Sequence, residues 1–323
     1  MNNEHRPRRL RNNQIIRDLS AEIFPDKTRL IMPHFVVEEK NKREEIKPMP
    51  GIYRVCVENL LKDLESDLKL GINKIILFGI PAEKDEMAKG AYDERGIIQK
   101  AVRKIKKELP DICVITDVCL CEYMSHGHCG IVENGKILND PTLELLAKTA
   151  VSHAAAGADI VAPSDMMDYR VGFMREALDN NEFTDTLILS YAAKYASAFY
   201  DPFRDAAGSA PQFGDRKTYQ MDYRNAMEAE KEVLMDIEEG ADMVMVKPAL
   251  SYMDIIRRVR DIIDVPLCTY NVSGEYSMIK ASVNAGVADE RKIVTEILTS
   301  LFRAGADMII SYHARDVFRN SWF

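Results

Sequence analysis

The sequence predicts an α/β fold, a (β/α)8 TIM barrel preceded by an extended N-terminal arm. Three observations point there: a junction phrase that recurs, eight apolar runs, and a length of 323 residues that suits one barrel. The phrase is a helical stretch, then Gly, a small or apolar residue, Asp or Asn, then an apolar β-rich run. It occurs at Gly71-Ile72-Asn73, Gly157-Ala158-Asp159, Gly240-Ala241-Asp242 and Gly305-Ala306-Asp307. Glycine after a helix supplies a left-handed cap. Runs this continuously apolar suit a parallel sheet covered on both faces.

In chain order the strands are expected at 29–32, 74–78, 113–116, 160–162, 187–190, 243–246, 266–270 and 308–311. Helical patterns separate them, for example at 55–69, 143–156, 226–239 and 290–304. A doubly wound open sheet is the alternative, but no glycine-rich nucleotide fingerprint follows the first strand. Two stretches fall outside the repeat. Residues 1–25 form a basic arm ahead of the barrel, which takes up 26–323. Residues 195–222 mix Gly, Pro, aromatics and both charge signs, as expected of an active-site lid.

Composition narrows the function. A net charge of −8 argues against a general nucleic-acid or anionic-membrane binder. No uncharged apolar run is long enough to span a bilayer, and MNNEHRPRRLR lacks the apolar stretch of a secretory signal. A cytoplasmic, reducing setting is the expectation, so the six cysteines read as metal ligands or buried thiols rather than disulfides.

Catalytic residues of such barrels lie just past the C-terminal strand ends. Lys247 ends the apolar run MVMVKP, where desolvation lowers an amine's pKa and makes it nucleophilic toward a ketone. The competing reading is a lysine that snorkels to solvent or binds phosphate. Lys194 follows the neighbouring strand, roughly 5 Å away across a sheet, and a second cation would depress the pKa further. Read alone, it is an exposed charge at a helix start. Cys119, Cys121 and Cys129 form C-x-C-x7-C on one loop, a candidate zinc site with an open fourth position. His126 or His128 could close that site instead. Cys56, Cys113 and Cys268 read as core residues. Arg204 and Arg216 offer guanidinium forks for a carboxylate, and Ser273 and Tyr312 offer hydroxyls for a second one. Ser164 and Asp165 suit a structural turn as well as a site.

The motifs GADMVMVKPALSY, DVCLCEYMSHGHCG, SYAAKYASAFYDPFRDA, NVSGEYSMIK and MPGIYR resemble those of the porphobilinogen synthases, over nearly the whole chain. The resemblance implies a (β/α)8 barrel whose arm embraces a neighbouring subunit, usually in a homo-octamer. It implies condensation of two 5-aminolevulinate molecules to porphobilinogen, with loss of two waters, in tetrapyrrole (heme) synthesis. By motif, Lys247 forms the Schiff base of the P site and Lys194 that of the A site. Asp117 is similar to the active-site aspartate beside the zinc. Cys119, Cys121 and Cys129 match the ligands of the zinc-using branch. Arg204 and Arg216 match the A-site carboxylate ligands, and Ser273 and Tyr312 those of the P site. Glu232 matches the residue that holds an outer, allosteric magnesium in many bacterial members. Asp201 departs from the pattern, which has glycine there, and a local change in the lid is expected.

Three rivals explain less, and of these a binding module for some other carboxylate accounts for the arginines only. A class I aldolase-like lyase accounts for one lysine but not for three cysteines. A non-enzymatic zinc-binding barrel leaves both strand-end lysines without a purpose.

Overall fold

A computed structural model describes residues 5–323. Eight strands form its centre: β1 (Leu30–Val37), β2 (Lys74–Ile80), β3 (Cys113–Val118) and β4 (Ile160–Pro163), then β5 (Leu187–Lys194), β6 (Met243–Lys247), β7 (Leu267–Asn271) and β8 (Met308–Ser311). Each pairs in parallel with the next. The sheet closes where Leu30 and Ile31 of β1 meet Ile309 and Ile310 of β8. Closure excludes the doubly wound alternative. Several strands run past their expected ends; β5 reaches Lys194, which is therefore a strand residue and not the start of a helix.

Helices form the outer layer, and their sequences show why. The helix Val57–Leu70 buries Val57, Leu60, Leu61 and Leu64, the spacing of one helical face. Each such side chain contributes roughly 1.5–3 kcal/mol when removed from water. The junction glycines all have positive φ, from 97° at Gly71 to 123° at Gly305. The acid that follows has its own task. Asp159 Oδ2 accepts the Val114 amide at 2.7 Å, Asp242 Oδ2 that of Ile188 at 2.7 Å, and Asp307 Oδ2 that of Leu267 at 2.8 Å. Each carboxylate thus ties its strand's entrance to that of the strand before it.

One irregularity matters for the site. Ser190 pairs with Val244 and Ala193 with Val246, so Tyr191 and Ala192 of β5 together face Met245 of β6. This is a bulge of one extra residue, which reverses which face later side chains occupy. Ser190 points outward, its hydroxyl donating to Asp236 at 2.5 Å. The shift lets Tyr191 and Lys194 both face inward.

Outside the barrel, the arm forms short helical turns at Pro7–Arg11 and Gln14–Ser20. Leu10, Ile15, Leu19 and Phe24 stay exposed there. Residues 1–4 of the expected arm lie outside the described residues. Among the described residues, no helix is long and apolar enough to cross a membrane.

Candidate active site

Lys194 and Lys247 are register partners at the C-terminal ends of β5 and β6. Both are buried, at 5% and 6% exposure, which rules out a lysine snorkelling to solvent. Aromatic rings surround the Lys247 ammonium: Tyr270 at 4.5 Å, Tyr191 at 5.0 Å, Tyr200 at 5.1 Å and Phe203 at 5.2 Å from the ring centroids. Burial first, and then the charge of Lys194, hold its pKa down at about 7, against an ordinary 10.5. Lys194 Nζ donates to the carbonyl of Ser164.

On the neighbouring strand ends, Ser164 Oγ donates to Asp117 Oδ2 at 3.1 Å. Asp117 Oδ1 is buried with no partner. Burial, reinforced by the charge of Glu122, pushes the Asp117 carboxyl up to about 7. The Ser164 hydroxyl therefore belongs to the site, whereas Asp165 makes the turn, accepting the Met167 amide at 2.7 Å. No local pattern distinguishes the two in sequence; only the pairing of β3 with β4 does.

The sulfurs of Cys119, Cys121 and Cys129 lie within 4.8 Å of one another, all buried. Cys119 Sγ is 3.3 Å from Cys121 Sγ. Burial pushes the Cys119 thiol up, while hydrogen bonds from Cys119 and Cys121 pull the Cys129 thiol well below its usual value. Three convergent soft donors, one already favoured as thiolate, fit Zn²⁺. The histidines do not join them. His128 Nδ1 lies 3.1 Å from the Tyr219 hydroxyl and Nε2 2.9 Å from the Phe213 carbonyl, both on the lid. The buried carboxylate of Glu122 accepts from Cys121 Sγ at 3.1 Å, a neighbour that the cysteine spacing alone does not reveal.

The segment 195–222 folds over this end of the barrel. Its short helix Asp201–Ala207 carries Phe203, whose ring stands 4.9 Å from Phe78 and 5.5 Å from Phe35 at the barrel mouth. Ser273 fastens it: Ser273 Oγ accepts the Phe203 amide at 3.0 Å and donates to the Phe199 carbonyl at 3.3 Å. The Tyr312 hydroxyl is 3.0 Å from that of Tyr270, beside Lys247. Arg216 is buried and donates to the Gly127 carbonyl at 2.8 Å, above the cysteine loop. Arg204 is half-buried and pairs with Asp201 at 2.8 Å. Asp201 itself is exposed, so the departure from glycine places a carboxylate against the expected ligand of another carboxylate.

Glu232 lies apart, on the helix Met227–Glu238 outside the barrel. It is half-buried in a recess of about 370 Å³, shared with Asp168, Asp222 and Glu228. Burial raises its pKa. Lys217 lines the same recess, and among the described residues these carboxylates do not converge as the three cysteine sulfurs do.

The model of the family described as delta-aminolevulinic acid dehydratase matches residues 4–320. A protein of that name from Synechococcus elongatus is 54% identical over 319 residues, covering 98% of both chains. Its namesake from Bacillus subtilis is 55% identical over 313 residues, covering 97% of this chain and 96% of its own. Among solved structures, the delta-aminolevulinic acid dehydratase (porphobilinogen synthase) of Toxoplasma gondii, in complex with its product porphobilinogen, superposes with a TM-score of 0.96. That match is 44% identical and covers 98% of this chain and 91% of the other. Likeness of this extent, spanning arm, barrel and lid alike, makes the chain a member of the delta-aminolevulinic acid dehydratase family.

Proposed function

We infer that this chain carries out the family's reaction, condensing two molecules of 5-aminolevulinate to porphobilinogen with loss of two waters, a hydro-lyase step of tetrapyrrole synthesis. The observation that carries this reading is the register pairing of two buried lysines, one held near neutrality. A ketone substrate needs an unprotonated amine, and Lys247 offers one at neutral pH.

In the proposed mechanism Lys247 binds the P-site substrate as an iminium, which acidifies the protons on its C3. Lys194 binds the A-site substrate in the same way. Ser273 and Tyr312 receive the P-site carboxylate, and Arg204 and Arg216 the A-site carboxylate. Ser273 must then exchange its lid contacts for substrate, which couples P-site binding to movement of the lid. Asp117, with one unpartnered oxygen, moves protons or positions the A-site amine. Holding two substrates at neighbouring strand ends makes the bond-forming steps intramolecular. The lid helix excludes water from them.

Cys119, Cys121 and Cys129 would hold Zn²⁺, which when bound supplies Lewis-acid polarisation beside Lys194. By motif, Glu232 would hold a Mg²⁺ with an allosteric task, at a distance from the lysines. The setting we propose is the cytoplasm, with no nucleic-acid partner.

The test is the purified chain given 5-aminolevulinate and zinc. Porphobilinogen should accumulate at one molecule per two substrates consumed; no product would overturn the reading. Cys119→Ala should separately lose bound zinc on metal analysis, and unchanged zinc content would remove the metal assignment.

A further inference from the structure

Tyr191 stands between the two lysines, and the steps proposed for them give it no task. The bulge in β5 turns it inward together with Lys194. Its ring centroid is 5.0 Å from Lys247 Nζ and 5.6 Å from Lys194 Nζ. The residue is fully buried, and its hydroxyl faces the Asp117 carboxyl without closing a hydrogen bond of ordinary geometry. Buried tyrosine hydroxyls are normally paired, because an unpaired one gives up its hydrogen bonds to water with nothing in return. Tyr270 on β7, also against Lys247, does have a partner, the hydroxyl of Tyr312. Burial, and then the charge of Asp117, push the Tyr191 hydroxyl well above its usual pKa, so it stays protonated as a donor. Asp117 Oδ1 is likewise buried without a partner.

We propose that Tyr191 is a catalytic residue that serves both lysines, with its hydroxyl shuttling a proton from the attacking nitrogen to the substrate's carbonyl oxygen. This rests on the Schiff-base reading and deepens it. The lysine nitrogen bonds to the ketone carbon while the C=O π pair moves to oxygen. Tyr191 gives its proton to that oxygen as it takes one from nitrogen, so no tyrosinate accumulates. The proton that the ammonium sheds to solvent before attack returns from solvent to the carbinolamine hydroxyl; the C–O bond then breaks, water leaves, and the nitrogen lone pair forms the C=N bond. Counted from the ammonium, one lysine and one ketone give one iminium and one water, and no outside acid is consumed. One hydroxyl between two amines can act twice per turnover, first for one substrate and then for the other.

Tyr191→Phe keeps the ring and its cation contacts and removes only the hydroxyl. Rapid-quench borohydride trapping in the zinc-loaded enzyme reads the adduct formed at each lysine separately. The variant should trap 5-aminolevulinate at both lysines about 10²-fold more slowly, the lower end for a positioned proton donor. The solvent deuterium isotope effect on wild-type trapping should shrink in the variant, which a loss of packing alone would not produce. Unchanged rates, or slowing at one lysine only, would overturn the shared role. If the wild type itself trapped nothing, the Schiff-base reading would fail rather than the part given to Tyr191. Should Tyr191→Phe not fold, 3,5-difluorotyrosine at position 191 keeps the hydroxyl and makes it more acidic. A trapping rate equal to wild type there would also count against the proposal.

Discussion

Lys247 owes its chemistry to two neighbours of different kinds. Aromatic walls remove water, which disfavours the ammonium, and Lys194 adds a like charge. The direction of each effect gives a prediction. Above about pH 7 the wild-type amine is free, so its alkylation rate should rise with pH through that value. Lys194→Met removes the second charge but leaves the aromatic walls, so the midpoint should move upward while staying below 10.5. A midpoint that did not move would show that Lys194 has no electrostatic part in tuning Lys247. Much at this scale was legible in the sequence, because a wholly apolar strand carries its final lysine into the mouth of the barrel. Lys194 was less so. Its burial depends on the extra residue at Tyr191-Ala192, and SYAAK carries no alternation that would announce a bulge. Ser164 was equally hidden, since its bond to Asp117 joins residues 47 positions apart.

At the scale of elements, the repeated Gly-Ala-Asp phrase was readable because its glycine has a local task, the left-handed cap that ends a helix. The acid accepts an amide on the preceding strand. The lid was readable only as irregular. Its contacts, Phe203 against the barrel mouth and His128 holding Phe213 and Tyr219, join segments far apart in the chain. Asp201 illustrates the difference. Sequence marked it as a departure, while the fold shows what it touches, the guanidinium of Arg204. A substrate carboxylate reaching Arg204 must compete with Asp201. An exposed pair of this kind is worth about 0.2–1 kcal/mol. Asp201→Gly should therefore lower KM by up to about fivefold with little change in kcat, as steady-state kinetics would read. A raised KM would mean that Asp201 holds Arg204 ready for substrate instead.

For the whole molecule, the barrel accounts for itself within one chain but the arm does not. Residues 5–25 contribute no buried side chain, yet they expose Leu10, Ile15, Leu19 and Phe24. Apolar residues gathered on a basic arm suit a second protein surface better than water. We propose that they dock on neighbouring copies in a homo-octamer. Sedimentation should give a mass near eight chains, and deletion of residues 1–25 should give a smaller species with its barrel still folded. An unchanged mass after deletion would remove the arm from the assembly. Sequence could suggest an arm here but not its partner, because a solvated tail has the same composition.

In the mechanism proposed above, two lysines of one barrel each hold a substrate molecule. Borohydride reduction of the zinc-loaded enzyme with 5-aminolevulinate, followed by peptide mass mapping, tests it most directly. Substrate-derived mass should appear on Lys247 and on Lys194, the Lys194 adduct persisting in Lys247→Ala. Absence of added mass from either lysine would contradict a two-lysine mechanism.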